Sequence, residues 1–350
     1  MEWIVKQKND LKPLYEEEGK IGFGKYYTDY MLKMLYSKNK GWYDAEITEF
    51  KDISISPAAL VLHYGQEIFE GMKGFLGNDG KIRLFRPMEN MNRLNRSASR
   101  LMMPEIDGEF VLEGLKKLLL LDKRWFPKNK GNAVYIRPTM IAVEPTVYLK
   151  PSDEYLFYII LSPAAGIYGL KELKLYAETE FVRAAIGGTA DIKTGGNYAS
   201  AFYPGKLREK FDALLWLDSQ ERKYVQEVGT MNIFFVEKGK RLITPKLDGG
   251  ILPGITRDSI IKIAQHDGYE VEERKITIDE VVDNISKGIF TEAFGTGTAA
   301  IVSPVREIFY KDNSYAFSFE TDLRNYFYNK LLNIQYGIDE DLFNWVEVIE

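Results

Sequence analysis

One lysine lies between two pairs of glycines near the middle of the chain. Gly187 and Gly188 precede Lys193, and Gly195 and Gly196 follow it. Glycine lacks a Cβ, so the backbone can turn sharply there and a flat ligand can come close. An ordinary glycine-rich surface loop would give the same pattern, because most lysines are solvated. The other interpretation is that the loop positions one amine for reaction.

Composition argues against several other kinds of site. The chain has 350 residues, no cysteine, and only His63 and His266 as histidines. Disulfides, thiolate nucleophiles and sulfur-ligated metals are therefore excluded, and two histidines give little basis for a zinc or iron site. His63 could be catalytic, but we expect it to be a partly buried, hydrogen-bonded structural residue.

Charge and hydropathy predict a cytoplasmic protein with small-molecule partners. The formal net charge is −5 and no basic cluster stands out, which argues against nucleic acid and anionic membranes as partners. No apolar run is long enough to cross a bilayer, and the first residues do not have the pattern of a signal peptide.

A chain of this length is expected to form two domains. A stretch with proline and glycine begins at Ser162, and we place the boundary there. This predicts a smaller N-terminal domain over 1–163, an interdomain loop over 164–175 and a larger C-terminal domain over 176–350. Helix and strand patterns occur in both halves, so the predicted fold class is α+β.

Two stretches of the first half carry candidate site residues. Residues 133–138 alternate as a strand does, so Tyr135 and Arg137 should share one face. Residues 60–75 predict the end of a strand followed by a short helix.

In the second half, one acid lies in a largely apolar stretch. Residues 224–236 predict buried strand structure around Glu227, although spacing alone also allows a solvent-facing strand residue. Residues 249–258 form a turn that leads into a helix, which Thr256 or a close neighbour should cap. The N–H groups of that first helical turn offer an anion site.

These features together predict a phosphorylated organic cofactor. Pyridoxal phosphate needs a lysine for a Schiff base, a group facing its ring nitrogen and a cup for its phosphate. Lys193, Glu227 and the helix start at 254–256 offer one of each. A buried carboxylate without a partner is costly, which favours such a role for Glu227.

A dinucleotide cofactor is the competing prediction. Gly295, Gly297 and Ala300 match the dinucleotide-binding fingerprint in residue type and spacing. That fingerprint must open a long helix, whereas residues 301–305 have the pattern of a strand broken by Pro304. The sequence context therefore favours pyridoxal phosphate.

Several short motifs, in order and at sensible spacing, together make a specific signal. They are the stretches 69–73, 84–87, 135–138, 193–198, 227–232, 252–257, 295–299 and 334–337. On these motifs the chain resembles the branched-chain amino-acid aminotransferases, which are fold-type IV pyridoxal-phosphate enzymes. The resemblance covers nearly the whole chain. It implies two α/β domains with the cofactor in the cleft between them.

The resemblance also implies an activity and a set of cofactor ligands. The activity is transamination between leucine, isoleucine or valine and 2-oxoglutarate. Lys193 would carry the cofactor and move a proton at the substrate α-carbon, since a lysine amine is both a nucleophile and a tunable base. The implied cofactor-binding residues are Arg93, Lys193, Tyr198, Glu227, Thr230, Leu252, Ile255, Thr256 and Thr298. Among them, Arg93 would bind the phosphate, Tyr198 the phenolic oxygen and Glu227 the pyridine nitrogen.

Substrate residues follow from the same resemblance. They are Tyr27, Tyr64, Phe69, Tyr135, Arg137, Val147, Leu149, Thr298 and Ala299. The backbone amides of Thr298 and Ala299 would grip the substrate carboxylate, with Tyr135 nearby. In the family part of the side-chain pocket comes from the partner subunit, so a homodimer is implied. Arg137 could pair with the distal carboxylate of glutamate or 2-oxoglutarate.

The sequence departs from the family at three positions. Ala300 and Ser303 stand where the animal enzymes carry a Cys-x-x-Cys pair, so a thiol switch is excluded. Tyr27 replaces a phenylalanine that some members carry in the pocket wall. Competing functions are another fold-type IV enzyme, such as a D-amino-acid aminotransferase or an aminodeoxychorismate lyase, a catalytically silent cofactor-binding protein, and an interaction protein.

Overall fold

The computed structural model describes residues 1–165, 171–238, 241–319 and 322–350. Contacts divide the chain into two compact units. One comprises Met1–Ile167, Lys193–Gly195 and Leu332–Glu350, and the other comprises Tyr168–Ile192 and Gly196–Leu331. The predicted domain limits stay a prediction, and residues 166–170 of the predicted loop lie outside the described residues.

Both units contain strands and helices. The strands are β1 (Ile4–Val5), β2 (Tyr30–Ser37), β3 (Gly41–Glu49), β4 (Glu67–Phe69), β5 (Met72–Leu76), β6 (Ile82–Phe85), β7 (Ala133–Ala142), β8 (Glu154–Ala164), β9 (Leu173–Glu178), β10 (Ala213–Leu217), β11 (Val225–Val228), β12 (Met231–Glu237), β13 (Arg241–Pro245), β14 (Glu270–Arg274), β15 (Phe290–Gly297), β16 (Ile301–Tyr310), β17 (Asn313–Ala316) and β18 (Val346–Ile349). The helices are α1 (Leu60–Tyr64), α2 (Pro87–Arg100), α3 (Gly108–Leu121), α4 (Gly196–Ala199), α5 (Phe202–Leu207), α6 (Ile255–His266), α7 (Ile278–Ser286) and α8 (Leu323–Tyr336). Short 3-10 turns cover Glu18–Lys20 and Lys123–Trp125.

The first unit is built on one largely antiparallel sheet. Its strand order is β1-β3-β2-β8-β7-β5-β6-β18, and β4 pairs with β7. Helices α2 and α3 supply Leu94 and Leu115 to a core that also contains Ile136 and Phe157. Helix α2 begins at a proline, whose fixed φ suits a first turn, and Asp107 caps α3. Strands β4, β5 and β7 and helix α2 position the first group of site residues.

The prediction for residues 60–75 was wrong in its order. Helix α1 comes first and ends where Gly65 takes a left-handed φ of 61°, and β4 and β5 follow. Both strands pair with β7, so cross-strand hydrogen bonds override the short-range pattern that indicated a helix. The sheet also confirms that Tyr135 and Arg137 share a face, because the Arg137 Nη2 donates to the Tyr135 hydroxyl at 2.9 Å.

The second unit is built on another sheet. Its order is β11-β10-β9-β16-β15-β12-β13-β14, with β17 beside β16 and an additional pairing of β11 with β12. Gly229, at a φ of 57°, makes the tight turn between β11 and β12. Helix α7 packs on a core in which Phe235 and Phe290 stack at 5.4 Å between ring centroids.

Strand β16 decides against the dinucleotide alternative. The turn after Gly297 leads directly into this strand and not into a helix. The expectation that proline breaks the strand was wrong, because Pro304 lies within β16 opposite Phe294. In the described part of the chain, no helix has both the length and the apolar character needed to cross a membrane.

Candidate active site

The segment that carries Lys193 is fixed to the first unit by its backbone. The Phe69 N–H of β4 donates to the Lys193 carbonyl at 3.0 Å. The Lys193 N–H donates to the Ser97 hydroxyl of α2 at 3.1 Å, and the Gly195 N–H donates to the Glu67 carboxylate. A Cβ on Gly195 would overlap Glu67, so glycine is required there. The lysine side chain therefore starts from a fixed backbone.

The Lys193 amine has an environment that favours its neutral form. The residue is partly buried, and Nζ lies 4.9 Å from the centre of the Phe69 ring. Burial lowers the pKa of Lys193 to about 8, Arg93 and Arg137 add to the lowering, and Glu70 opposes it. An amine with a pKa near neutrality can act as a nucleophile and as a base.

Arg93 and Glu70 form a buried ion pair beside this lysine. The Arg93 Nε and Nη2 donate to the two Glu70 carboxylate oxygens at 2.6 and 2.9 Å. The Gly71 N–H adds a bond to Glu70 at 3.0 Å. The pair is bidentate, so one edge of the guanidinium is used and its orientation is set.

A second guanidinium lies against the aromatic part of this group. The Arg137 guanidinium lies 4.6 Å from the centre of the Phe69 ring and donates to Tyr135. Its buried Nε has no hydrogen-bond partner among the described residues. Gly71 is needed here, because a Cβ would overlap the Tyr135 hydroxyl. A ligand carboxylate is the kind of group that would satisfy Arg137.

In the second unit, Glu227 and Leu252 are in contact. The buried Glu227 Oε1 accepts from the Leu252 N–H at 2.7 Å. The Arg183 Nε lies 3.4 Å from the Glu227 Oε2. The Arg183 Nη2 also donates to the carbonyls of Ala190 and Gly250, at 2.8 and 3.1 Å. Arg183 thus fixes the backbone around Glu227.

Helix α6 starts at the predicted anion site. Its N-cap is Gly254 and not Thr256, and the partly buried Ile255 and Thr256 follow in the first turn. Asn232 donates to the Leu252 carbonyl at 3.0 Å, and its side-chain oxygen fills the place of a Cβ on Gly254. Backbone N–H groups and the positive end of the helix dipole suit a phosphate here.

Other predicted residues of this unit lie in turns and short helices. Tyr198 is partly buried in α4, and Thr230 is exposed in the β11–β12 turn. Thr298 and Ala299 are partly buried in the turn before β16. Ile301 follows them at a φ of 58°, which is rare for a β-branched residue and typical of functional turns.

Some predicted substrate residues lie elsewhere on the first unit. Tyr27 stacks on Phe50 with 5.0 Å between ring centroids. Tyr64, Val147 and Leu149 are exposed, and the Tyr64 hydroxyl donates to the Val147 carbonyl at 2.5 Å.

His63 is exposed next to Tyr64. Its Nε2 lies 3.0 Å from the Pro57 carbonyl, within hydrogen-bonding distance as expected. The expectation that His63 is partly buried was wrong, because it lies on a short helix that leaves it exposed.

The residues of these groups that sequence reasoning missed include Glu67, Glu70, Ser97 and Arg183. The helical interpretation of 60–75 hid Glu67, since only a strand places it on the same face as Phe69. Ser97 is a small helix residue without a distinguishing pattern. Arg183 precedes the Lys193 stretch and offered a signal, because a charged residue interrupts an apolar run there.

Comparisons with known proteins agree with this geometry. The model of the amino-transferase class IV family matches residues 67–308. The branched-chain-amino-acid aminotransferase 2 of Bacillus subtilis is 47% identical over 335 residues, which cover 94% of this chain and 92% of that protein. The branched-chain-amino-acid transaminase 1 of the same organism is 45% identical over 336 residues, which cover 94% of each chain.

Solved structures share the fold. A branched-chain aminotransferase from Thermoproteus uzoniensis, solved with norvaline, superposes with a TM-score of 0.77 at 22% identity, over 92% of this chain and all (100%) of that one. The enzyme from Thermobaculum terrenum in its PLP form gives 0.75 at 24% identity, over 92% and 98%. The fold is therefore that of the fold-type IV aminotransferases, and the chain belongs to the class IV aminotransferases and, among them, to the branched-chain-amino-acid aminotransferase family.

Proposed function

We propose that this protein uses pyridoxal phosphate to transfer amino groups between branched-chain L-amino acids and 2-oxoglutarate. The products are branched-chain 2-oxo acids and L-glutamate. The observation that carries the proposal is the Lys193 amine, whose pKa is lowered to about 8 beside Arg93 and Arg137 in a class IV aminotransferase. Bound cofactor would supply a conjugated ring that stabilises negative charge at the substrate α-carbon.

The residues of the chain fit this cofactor. Lys193 would hold it and then take and return the proton of the substrate α-carbon, for which a pKa near 8 is well matched. Arg93 would face the phosphate with the guanidinium edge that Glu70 does not use. Glu227, oriented by the Leu252 N–H, would keep the ring nitrogen protonated.

The remaining cofactor residues would fix the ring and the phosphate. Tyr198 would hydrogen-bond the phenolic oxygen. Ile255, Thr256 and Thr298 would add donors to the phosphate, and the start of α6 supports this because the N–H groups and the positive dipole end of a first helical turn suit an anion.

The two substrates place different demands on one pocket. Phe69 offers an apolar face for a branched side chain, while Arg137 offers a cation 4.6 Å from the same ring. Arg137 would pair with the distal carboxylate of glutamate, because its Nε is buried without a hydrogen bond among the described residues. The Tyr135 hydroxyl and the amides of Thr298 and Ala299 would bind the carboxylate common to both substrates.

A homodimer is part of the proposal. Five residues of the first unit are exposed: Leu62, Tyr64, Val147, Tyr148 and Leu149. A hydrogen bond from the Tyr64 hydroxyl to the Val147 carbonyl joins the two stretches that contain them. Exposed apolar groups of this kind mark interaction surfaces. A second copy would cover them and bring Val147 and Leu149 to a pocket wall. A cytoplasmic location completes the proposal.

A visible absorption spectrum of the purified protein tests the function. We expect a cofactor band that shifts on adding L-leucine and returns on adding 2-oxoglutarate. D-Leucine is the matched control, and a shift with the D-isomer would support a D-amino-acid aminotransferase instead. If no band forms after incubation with pyridoxal phosphate, the proposed function is wrong.

The Arg137→Leu variant tests the dual pocket. Turnover of glutamate should be lost, while the spectral shift with leucine should remain. Intact glutamate turnover would show that another residue binds the distal carboxylate.

A further inference from the structure

Glu67 is an acidic residue that the proposed mechanism does not use. It begins β4, two residues before Phe69, so both side chains lie on the same face of the strand. It is partly buried. Burial raises the pKa of Glu67, while the Gly195 N–H, Arg137 and the Thr194 hydroxyl favour its charged form.

Glu67 holds the segment that follows the reactive lysine. Its carboxylate accepts from the Gly195 N–H and from the Thr194 hydroxyl. The Phe69 N–H and the Ser97 hydroxyl bind the Lys193 backbone, and the Asn197 side chain binds the Ile192 carbonyl. Glu67 adds the hydrogen bonds at Thr194 and Gly195, the two residues directly after the lysine.

Glu67 also acts on the charge at Arg137. Arg137 lies on β7 and lowers the pKa of Glu67, and Tyr158 on β8 has a raised pKa to which Glu67 contributes after burial. Arg137 is oriented by Tyr135 and not by Glu67, so Glu67 stabilises the cation without occupying its Nε.

We propose that Glu67 sets the balance between the two substrate classes and positions the Lys193 segment. The proposal rests on the proposed function of this site. A dicarboxylate that reaches Arg137 also meets the negative charge of Glu67, which weakens its binding. An apolar side chain brings no second charge, so Glu67 leaves its binding unchanged.

Two variants separate these roles. Glu67→Gln keeps an acceptor for Gly195 and Thr194 but removes the charge, whereas Glu67→Ala removes both. We would measure the binding of glutarate and of 4-methylpentanoate to the holoenzyme by calorimetry at pH 8, together with kcat for leucine. Glutarate is a dicarboxylate and 4-methylpentanoate carries a branched apolar chain, and neither needs turnover to bind.

We expect Glu67→Gln to bind glutarate at least about threefold more tightly at pH 8, with 4-methylpentanoate nearly unchanged. Glu67→Ala should lower kcat for leucine, and Glu67→Gln should retain it.

Equal or weaker glutarate binding by Glu67→Gln would overturn the charge role. Unchanged kcat in Glu67→Ala would overturn the positioning role, since a folded variant without the two bonds would then work normally. Failure of the proposed function gives a different result. The wild type would then show no spectral response to leucine, whatever the calorimetry shows for glutarate.

Discussion

Lys73 and Lys193 are two lysines of the same unit with similarly low proton affinity and different surroundings. Lys73 lies within β5, paired with Tyr135 of β7, and is 7% exposed. Lys193 lies in the segment between β9 and α4 and is partly exposed. For both, the pKa falls from 10.5 to about 8.

The causes of the two shifts differ. Burial lowers the pKa of Lys73. Burial also lowers the pKa of Lys193, but Arg93 and Arg137 add to the effect and Glu70 opposes it. The pKa of Lys193 therefore depends on three charged neighbours as well as on burial, whereas the pKa of Lys73 depends on desolvation.

The comparison teaches that a low pKa does not by itself identify a reactive lysine. Lys193 differs from Lys73 in its accessible side chain, in charges of both signs around it and in a backbone fixed by Phe69 and Ser97. A reactive amine needs to be reached and held as well as neutral.

The largest expected effect is the loss of Lys193 compared with the loss of Lys73. Lys193→Ala should bind no cofactor covalently and should transaminate leucine at least about 1,000-fold more slowly, because the variant lacks the nucleophile and the base. Lys73→Met is the matched control and should still develop the cofactor band. Spectra and initial rates of both variants measure this, and a normal rate in Lys193→Ala would transfer the catalytic role to another residue.

The next effect concerns Glu70, a charged neighbour that contributes to the pKa of Lys193 but not to that of Lys73. Glu70→Gln leaves Arg93 buried without its carboxylate partner, and we expect the free energy of unfolding to fall by about 3 kcal/mol. Urea unfolding of the holoenzyme measures this.

Glu113→Gln is the control for the Glu70 prediction. Glu113 pairs with Lys117 on the exposed face of α3, where the two side chains are 60% and 45% exposed. A surface pair of this kind should change stability by less than about 0.5 kcal/mol. Equal losses in the two variants would mean that burial does not decide the strength of the Arg93–Glu70 pair.

Much of the fold follows from local patterns in the sequence. The strand around Tyr135 and the helices that contain Leu94 and Leu115 were predicted, because each buries a regularly spaced apolar face. Residues 60–75 were not, because β4 is only three residues long and exists through its pairing with β7.

For the same reason, the sequence predicted some residues of the candidate site but not the residues that hold them in place. Lys193, Glu227 and the start of α6 were found because glycine turns and an acid in an apolar run are visible in the sequence. The partners that fix them were not, since Ser97 and Arg183 reach them over long sequence separations. Such pairs are set by tertiary packing, which a single sequence does not display.

Lys73 should contribute a pH-dependent loss of stability. Its folded pKa, about 8, lies below the ordinary 10.5, so the unfolded chain binds more protons between these values and stability rises with pH across that window. The free energy of unfolding of the wild type should gain about 2 kcal/mol more between pH 7.5 and pH 10 than that of Lys73→Met.

Lys128→Met is the control for the pH prediction, because Lys128 is exposed. Urea unfolding of the three holoenzymes at each pH provides the comparison. If Lys73→Met has the same pH dependence as the wild type and Lys128→Met, the Lys73 amine is not desolvated as its position indicates.

The smallest expected effect tests the charges around Lys193. Arg137→Leu removes a cation that disfavours the protonated amine, so the pKa of Lys193 should rise by about 0.5 unit above its value near 8. The rate at which apoenzyme takes up pyridoxal phosphate measures this pKa, because only the unprotonated amine attacks the aldehyde. The pH at half-maximal rate should therefore move upward. Arg306→Leu removes an exposed arginine of the other unit and should leave it unchanged. An unchanged or lower pH of half-maximal rate in Arg137→Leu, or equal shifts in both variants, would show that Arg137 does not contribute to the lowered pKa of Lys193.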